Sequence, residues 1–481
     1  MLYSLSELNK EQLTAVLETE GVIRCLAVAG SGKTRVLTHR VAYLINNKKI
    51  DPSQIMVTTF TKKSTIEMKN RLLSLIGKEN LDKLLIGTFH SIGYKILKTE
   101  FTLQKNKMAK MELLNDYNKR AIINEIIKNM NISPTLPDYY MDIIVKLKNN
   151  LISPESHILL ASLGNDEDKK NMLIDGQVYK EYERIKEEKG LIDFEDMIYK
   201  LYNMFVLNQD ILRKYQNKIK YILIDETQDC NDSQYTICKM ISEPENNIFL
   251  VGDDDQSVYK FRNAKPENFI NLQNDFCNLK TINLSTNYRS KSHILEAANK
   301  LIKNNKNRID KECISIKQSK DNEKISFRNF NNEDDEAVFV SKTIKTILDK
   351  NYSCNDIYII YRTNAQARAI EDVLVSEAIP YKINGGISFY ERSEIKDLIA
   401  YYKLILNFND NESFLRIINK PSRCLSKVFI SELEKTANKY NCSLFNAINK
   451  MNKINKNANE FFNLIKSLNK FSKSNDVITT V

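Results

Sequence analysis

The sequence predicts an α/β fold in which parallel sheets carry helices on their faces and are interrupted by large helical insertions. Three observations carry that prediction. Short apolar, β-branched runs recur with helical stretches between them, the rhythm of strand–helix–strand units rather than of hairpins. The chemistry-bearing residues sit at the C-terminal ends of these runs, where open α/β sheets bind ligands. Only 12 Gly and 8 Pro occur among 481 residues, which leaves little loop and favours long helices.

The first strand run, Ile23 to Val28, leads through Ala27-Val28-Ala29-Gly30-Ser31-Gly32-Lys33-Thr34 into a helical stretch, Arg35 to Asn46. Small residues in such a loop let backbone N–H groups approach phosphate, while Lys33 reaches the outer phosphates and Thr34 offers a hydroxyl to magnesium. Strands are predicted next at Gln54 to Phe60 and Leu84 to Thr88. Between about Ser91 and Lys218 the pattern changes to charged amphipathic segments, such as Ala121 to Asn129 and Gln177 to Glu188, with no strand run. This stretch reads as a helical insertion.

The α/β pattern returns at Tyr221 to Ile224, which ends in Asp225-Glu226-Thr227-Gln228-Asp229. Asp225 is suited to hold magnesium and Glu226 to orient and deprotonate an attacking water. Two carboxylates at a strand end also occur as a solvated turn. Against that reading, a further strand, Ile248 to Val251, ends in Gly252-Asp253-Asp254-Asp255-Gln256-Ser257 and puts Gln256 where a sheet neighbour senses a terminal phosphate. A second α/β unit is predicted from after Leu284 to about Gly386, with a strand at Ile357 to Tyr361. From Phe389 onward the signal is helical, and the Lys/Asn-rich stretch Lys450 to Asn475 reads as a solvated helical surface.

Length points to two to four compact units. The formal net charge of +10 favours polyanionic partners through counterion release, although a Lys-rich solvated surface gives the same number. Aromatics stand beside basic residues at Phe60, in Thr58-Thr59-Phe60-Thr61-Lys62, and at Tyr259 and Phe261, in Val258-Tyr259-Lys260-Phe261-Arg262. That pairing suits single-stranded nucleic acid, whose bases stack on rings while cations hold phosphate. The eight cysteines contain no CxxC pair, so neither a zinc site nor a disulfide framework is indicated. With no basic-then-apolar leader and no run long enough to span a bilayer, the expected setting is cytoplasmic, reducing and away from membranes.

These motifs, in this order, resemble the UvrD/Rep (PcrA-like) branch of superfamily 1 DNA helicases. Leu8-Asn9 with Gln12 resembles the Q motif, Thr58 to Met68 motif Ia, and Gly87-Thr88-Phe89-His90-Ser91 a DNA-contacting segment. Asp225 to Asp229 matches the DExQD box, Val251 to Ala264 motif III, and Asn287-Tyr288-Arg289-Ser290 motif IV. Tyr361 to Arg368, Ile379-Pro380-Tyr381, Gly385-Gly386 and Phe389-Tyr390-Glu391-Arg392 continue the series.

The resemblance implies RecA-like P-loop NTPase core domains, ATP and Mg²⁺ as cofactors, and ATP-driven 3′ to 5′ unwinding. Its partners would be single-stranded DNA, single-strand/duplex junctions, and accessory repair or replication proteins. The domains would be 1–92 with 216–282, a helical insertion at 93–215, the start of a second core domain at 283–386, and the start of its own insertion at 387–481. Gln12 would read adenine, Tyr288 would stack on it, Ala27 to Thr34 would cradle phosphate, and Arg35 and Arg289 would assist there. Gln256 would couple the nucleotide state to DNA, and Phe60, Thr88, His90, Tyr259, Phe261, Arg262 and Arg362 would contact the strand.

Departures from the family pattern are also visible. Val28 replaces a usual Gly, Phe261 a usual Trp, and Pro421-Ser422-Arg423-Cys424-Leu425-Ser426 stands where a duplex-contacting Gly-Ile-Gly element is usual. The resemblance would place motifs V and VI beyond Val481. The alternative expectation is therefore an ATP-gated single-strand-binding module with little hydrolysis.

Overall fold

A computed structural model describes residues 5–132, 137–163, 166–320, 323–384, 392–451 and 455–473. Ten strands are described: β1 (Val22–Ala27), β2 (Ile55–Thr59), β3 (Leu85–Thr88), β4 (Glu112–Leu113), β5 (Leu191–Ile192), β6 (Tyr221–Ile224), β7 (Ile248–Gly252), β8 (Lys280–Leu284), β9 (Thr286–Lys291) and β10 (Ile314–Lys317). Six of them form one sheet in the order β3-β2-β6-β7-β1-β8, and every pairing is parallel.

Both faces of this sheet are apolar. Val22, Leu26, Met56, Ile222, Ile224, Ile248 and Leu250 join one core with the helices Phe89–Leu103, Asp196–Leu207 and Asp232–Ser242. Their neighbours in the pleat, Ile23, Cys25, Ala27, Ile55, Val57, Leu223, Phe249 and Val251, join a second core with the helices Lys33–Asn46 and Lys62–Lys83. Successive residues point to opposite faces, so continuous apolar runs are what a doubly covered parallel sheet requires. Because the strands run the same way, the segments after β1, β2, β3, β6 and β7 emerge at one edge of the sheet.

The insertion folds around its own core, with Ile123, Ile126, Tyr140, Ile144, Val178, Tyr179 and Tyr182 at its centre. The helices Asp116–Asn129 and Asp166–Lys189 contain both segments expected to be helical. It also contains a parallel pair, β4 with β5, in a region where no strand was expected. Two-residue strands are too short to print an alternation.

Among the described residues the chain divides into two compact units, Met1–Ile325 and Ser326–Val481. Residues 283–325 fall in the first of these units. The parallel pair β9–β10 lies there, and its first strand is hydrogen-bonded to the phosphate loop. The second unit departs from expectation at Ile357 to Tyr361, which is not a strand. Tyr358 and Ile360 are exposed while Ile357 and Ile359 are half-buried, so the two-residue period of a strand is present. No neighbouring strand among the described residues supplies the ladder that would make it one. Helices Glu333–Leu348 and Ala367–Ser376 contribute Ile344 and Leu374 to a small core with Ile379.

Further on, the expected helical region holds the helices Ser393–Leu406, Asn411–Ile417, Lys427–Lys439 and Lys456–Ser472, packed on Leu404, Phe414, Leu433, Phe445 and Phe461. Arg423 is consumed there. It donates to the carbonyls of Ile417, Ile418, Lys420 and Pro421 and lies 4.6 Å over the Phe461 ring. Gly385, Gly386, Phe389, Tyr390 and Glu391 lie outside the described residues. No helix among the described residues is long and apolar enough to cross a membrane.

Candidate nucleotide and strand-binding site

β1 delivers the phosphate loop to the helix Lys33–Asn46, whose N-cap is Gly32. Gly32 has φ +87° and Gly30 φ +68°, a region that disfavours side chains, and a Cβ on Gly30 would meet Asn287 Nδ2 at 2.7 Å and Arg289 Cβ at 2.9 Å. The loop therefore needs glycine for two reasons, its turn and the close approach of β9. Asn287 Nδ2 donates to the Ala29 carbonyl at 2.6 Å and the Tyr288 N–H to the Gly30 carbonyl at 3.0 Å. Tyr288 and Arg289 are thereby set beside the loop from which they are 250 and more residues distant in sequence.

Gln12 is buried. It closes a capping box with Asn9 and donates from Nε2 to the Ser31 carbonyl at 2.9 Å, while Asn9 Nδ2 donates to the Tyr288 hydroxyl at 2.7 Å. Its position fits the Q motif, and its amide here braces the phosphate loop. Arg35, at the start of the helix, pairs with Glu7. Val28 is buried, with its N–H on the Leu284 carbonyl, so its side chain is accommodated where the family has glycine.

β6 and β7 bring the acids. β6 ends at Asp225, which is 5 % exposed, and Glu226 then takes φ +50°, an uncommon left-handed turn for a side-chain-bearing residue. That turn points the Glu226 carboxylate at the Lys33 ammonium, 2.6 Å away. Gln228 Nε2 donates to the same Glu226 oxygen at 2.8 Å, and Gln228 Oε1 accepts the Asp253 N–H at 3.0 Å. Gly252 makes room for it, since a Cβ there would lie 2.5 Å from Gln228 Oε1. Gln256 Nε2 is held by Asp253.

Burial, reinforced by the neighbouring Glu226 charge, pushes the Asp225 and Asp229 carboxyls up to about 7. A divalent cation would relieve that penalty. Ser31 Oγ and Asp229 Oδ1 are buried with no hydrogen-bond partner among the described residues, and the helix starting at Lys33 has no side-chain cap. These unmet groups, the Lys33 ammonium and the paired carboxylates fit a nucleoside triphosphate with magnesium on Thr34 and Asp225.

Beside them lies an aromatic face. The Phe60 ring centroid is 4.6 Å from that of Tyr259, which is 5.9 Å from Phe261, and Phe261 is 70 % exposed. The Arg262 side chain lies outside the described atoms. His90 stacks on Phe194 at 3.9 Å, and burial pulls its imidazole down to about 4, so it is neutral. Thr88 serves as a helix N-cap, its hydroxyl accepting the Ser91 N–H at 3.2 Å. Arg362 belongs to the second unit, where its N–H donates to Gln366.

Phe194 was not foreseen. It sits between Asp193 and Glu195, without the basic neighbours that mark Phe60, Tyr259 and Phe261. The turn that presents it is fixed by a buried cluster. Lys148 Nζ lies 2.5, 2.8 and 2.7 Å from Asp193, Asp196 and Glu183, and Lys186 contacts the same three carboxylates. These acids converge as metal ligands do, but the Lys148 and Lys186 ammonium groups already occupy the space between them, and Lys200 Nζ, 3.7 Å from Glu183, balances the third charge.

Comparison with known proteins agrees with this arrangement. The family model of the UvrD/REP helicase N-terminal domain matches residues 8–277, and that of the UvrD-like helicase C-terminal domain matches residues 282–477. The chain is 36% identical over 475 residues to the ATP-dependent DNA helicase PcrA of Staphylococcus aureus strain Mu50, and equally to that of Staphylococcus epidermidis strain ATCC 12228. Each alignment covers 96% of this chain and 63% of the relative, so the chain spans less than two thirds of the length of the relatives it matches. By its loop, its acids and both domain matches, the chain belongs to the UvrD/Rep helicase family.

Proposed function

We propose that this chain provides the ATP-dependent motor of a DNA helicase moving 3′ to 5′ along single-stranded DNA. The observation that carries it is the unbroken connection from Lys33 through Glu226 and Gln228 to Asp253, six residues before Tyr259. Lys33, the loop N–H groups and Arg289 bind and orient the phosphates, and Tyr288 offers a ring to the base. Thr34 and Asp225 would hold magnesium, which would supply neutralisation of the phosphate charge. Glu226, once Lys33 turns to phosphate, is free to take a proton from the attacking water. Gln256 senses the terminal phosphate and passes its state to Tyr259 and Phe261, against which, with Phe60, the bases stack.

In this reading residues 1–92 and 216–282 form the first RecA-like domain, 93–215 its insertion, 283–386 the beginning of the second RecA-like domain and 387–481 the beginning of its insertion. The change of family model between residues 277 and 282 supports the division at 282. Single-strand/duplex junctions are the natural substrate of such a motor, and repair or replication proteins its natural company. A binding module without hydrolysis would have no use for Glu226 in its strained turn, and that geometry favours the motor.

Fluorescence anisotropy of a labelled oligothymidylate tests the DNA half. Tyr259→Ala and Phe261→Ala each weaken binding about 5- to 150-fold, the loss of about one base stack. Failure of the wild-type chain to bind, or binding indifferent to both substitutions, would sink the proposal.

A further inference from the structure

The Asp253-Asp254-Asp255 run is buried at its first residue, whose N–H donates to Gln228 and which precedes Tyr259 by six residues. Three adjacent carboxylates repel one another, and removing them from water raises the cost. They are answered from one short segment before β10. Lys311 Nζ lies 3.1 Å from Asp253, 2.5 Å from Asp254 and 2.8 Å from Asp255, and its side chain is 5 % exposed. Arg308 grips Asp255 with both Nε and a terminal nitrogen, at 2.9 and 2.8 Å, and the Ile309 N–H donates to Asp254 at 2.8 Å. Burial works against charge on Lys311, yet the aspartates hold its ammonium above the ordinary lysine range.

The same segment runs directly into β10, which pairs in parallel with β9. Ser315 Oγ donates to the Ser290 carbonyl at 2.7 Å and Lys317 Nζ to that of Arg289 at 3.2 Å. Lys311 thus joins two structures that both reach the phosphate loop. One is the path Asp253–Gln228–Glu226–Lys33, and the other is β9, with Tyr288 on the Gly30 carbonyl.

We propose that Lys311, with Arg308 beside it, is a positioning residue that pins the loop carrying Gln256, Tyr259 and Phe261 to the β9–β10 ribbon carrying Tyr288 and Arg289, so that nucleotide and DNA binding change together. The inference rests on the functional reading above and adds a residue to it. Lys311 touches neither ligand. Its removal leaves each ligand's own contacts in place and erases the dependence of one on the other, which is a coupling rather than an affinity.

The test measures oligothymidylate affinity by anisotropy with and without a non-hydrolysable ATP analogue and Mg²⁺, in the wild-type chain, Lys311→Met, Lys311→Arg and Arg308→Gln. Wild type shows affinities that differ by about fivefold or more between the two conditions. In Lys311→Met the ratio collapses to within about twofold of one while each ligand alone binds within about threefold of wild type, and Lys311→Arg restores the ratio. Arg308→Gln, which keeps Lys311 in place, lowers the ratio part of the way and stands in if Lys311→Met does not fold. A wild-type ratio retained in the folded variants or a joint loss of both affinities would overturn the inference alone, whereas a wild-type chain that binds both ligands without coupling would overturn the inference together with the coupling role of Gln256. A wild-type chain that binds neither ligand would remove the helicase reading and the inference with it.

Discussion

Glu226→Gln lowers ATP turnover by about 10²–10⁴-fold, the usual contribution of a positioned general base, and leaves nucleotide affinity within about threefold of wild type. The amide keeps the shape of the side chain and an oxygen for Lys33 and Gln228, both of which donate to Glu226 Oε2. What it loses is the ability to take a proton. Lys33→Ala is the contrasting variant, because it removes the ammonium aimed at phosphate and so weakens binding as well as turnover. Steady-state turnover beside titration with a fluorescent nucleotide separates the two. If Glu226→Gln retained more than about a tenth of wild-type turnover, the base would have to be sought elsewhere.

Asp196→Ala destabilises the first unit by about 3–5 kcal/mol, the scale of a buried ion pair broken on one side. Asp196 is fully buried, accepts from Lys148 and Lys186, and closes a reciprocal turn in which the Asp193 N–H donates to it at 2.9 Å. Its loss leaves two ammonium groups facing only Asp193 and Glu183. Burial opposes ionisation of Asp193, but the Lys148 and Lys186 charges hold its carboxyl well below the usual range. The melting temperature falls by about 4–7 °C in a unit that runs from Met1 to Ile325. Because the turn presents Phe194 to His90, the variant also weakens oligothymidylate binding. Melting within about 2 °C of wild type would show that the cluster is not structurally important.

Much of the first unit was legible because its strands are apolar on both faces. Tyr221 to Ile224 was located to the residue, and the runs around Ile23, Ile55, Leu85 and Ile248 to within one residue at their ends. The edge strand Lys280–Leu284 escaped because only Leu284 is buried, β9 because it is polar, and β10 because its four residues, Ile314-Ser315-Ile316-Lys317, form a short run that is mostly exposed. Ile357 to Tyr361 shows the converse, a strand-like alternation that forms no ladder because no neighbour is described beside it.

At the site, the loop and both carboxylates could be read from spacing alone, since their chemistry is local. The tertiary partners could not. Asn287 on Ala29, Gln228 bridging Glu226 to Asp253, and Phe194 on His90 depend on segments brought together by the sheet. Gln12 and Thr88 were read as ligand contacts, and in the fold their polar atoms also serve as caps and braces.

In the proposed motor one chain carries a nucleotide site and a strand-binding face that act on each other. ATP turnover of the 481-residue chain with and without single-stranded DNA reads that mutual action. Turnover rises about fivefold or more on adding the strand and disappears with Lys33→Ala. Turnover indifferent to single-stranded DNA, or surviving Lys33→Ala, would contradict the proposed motor.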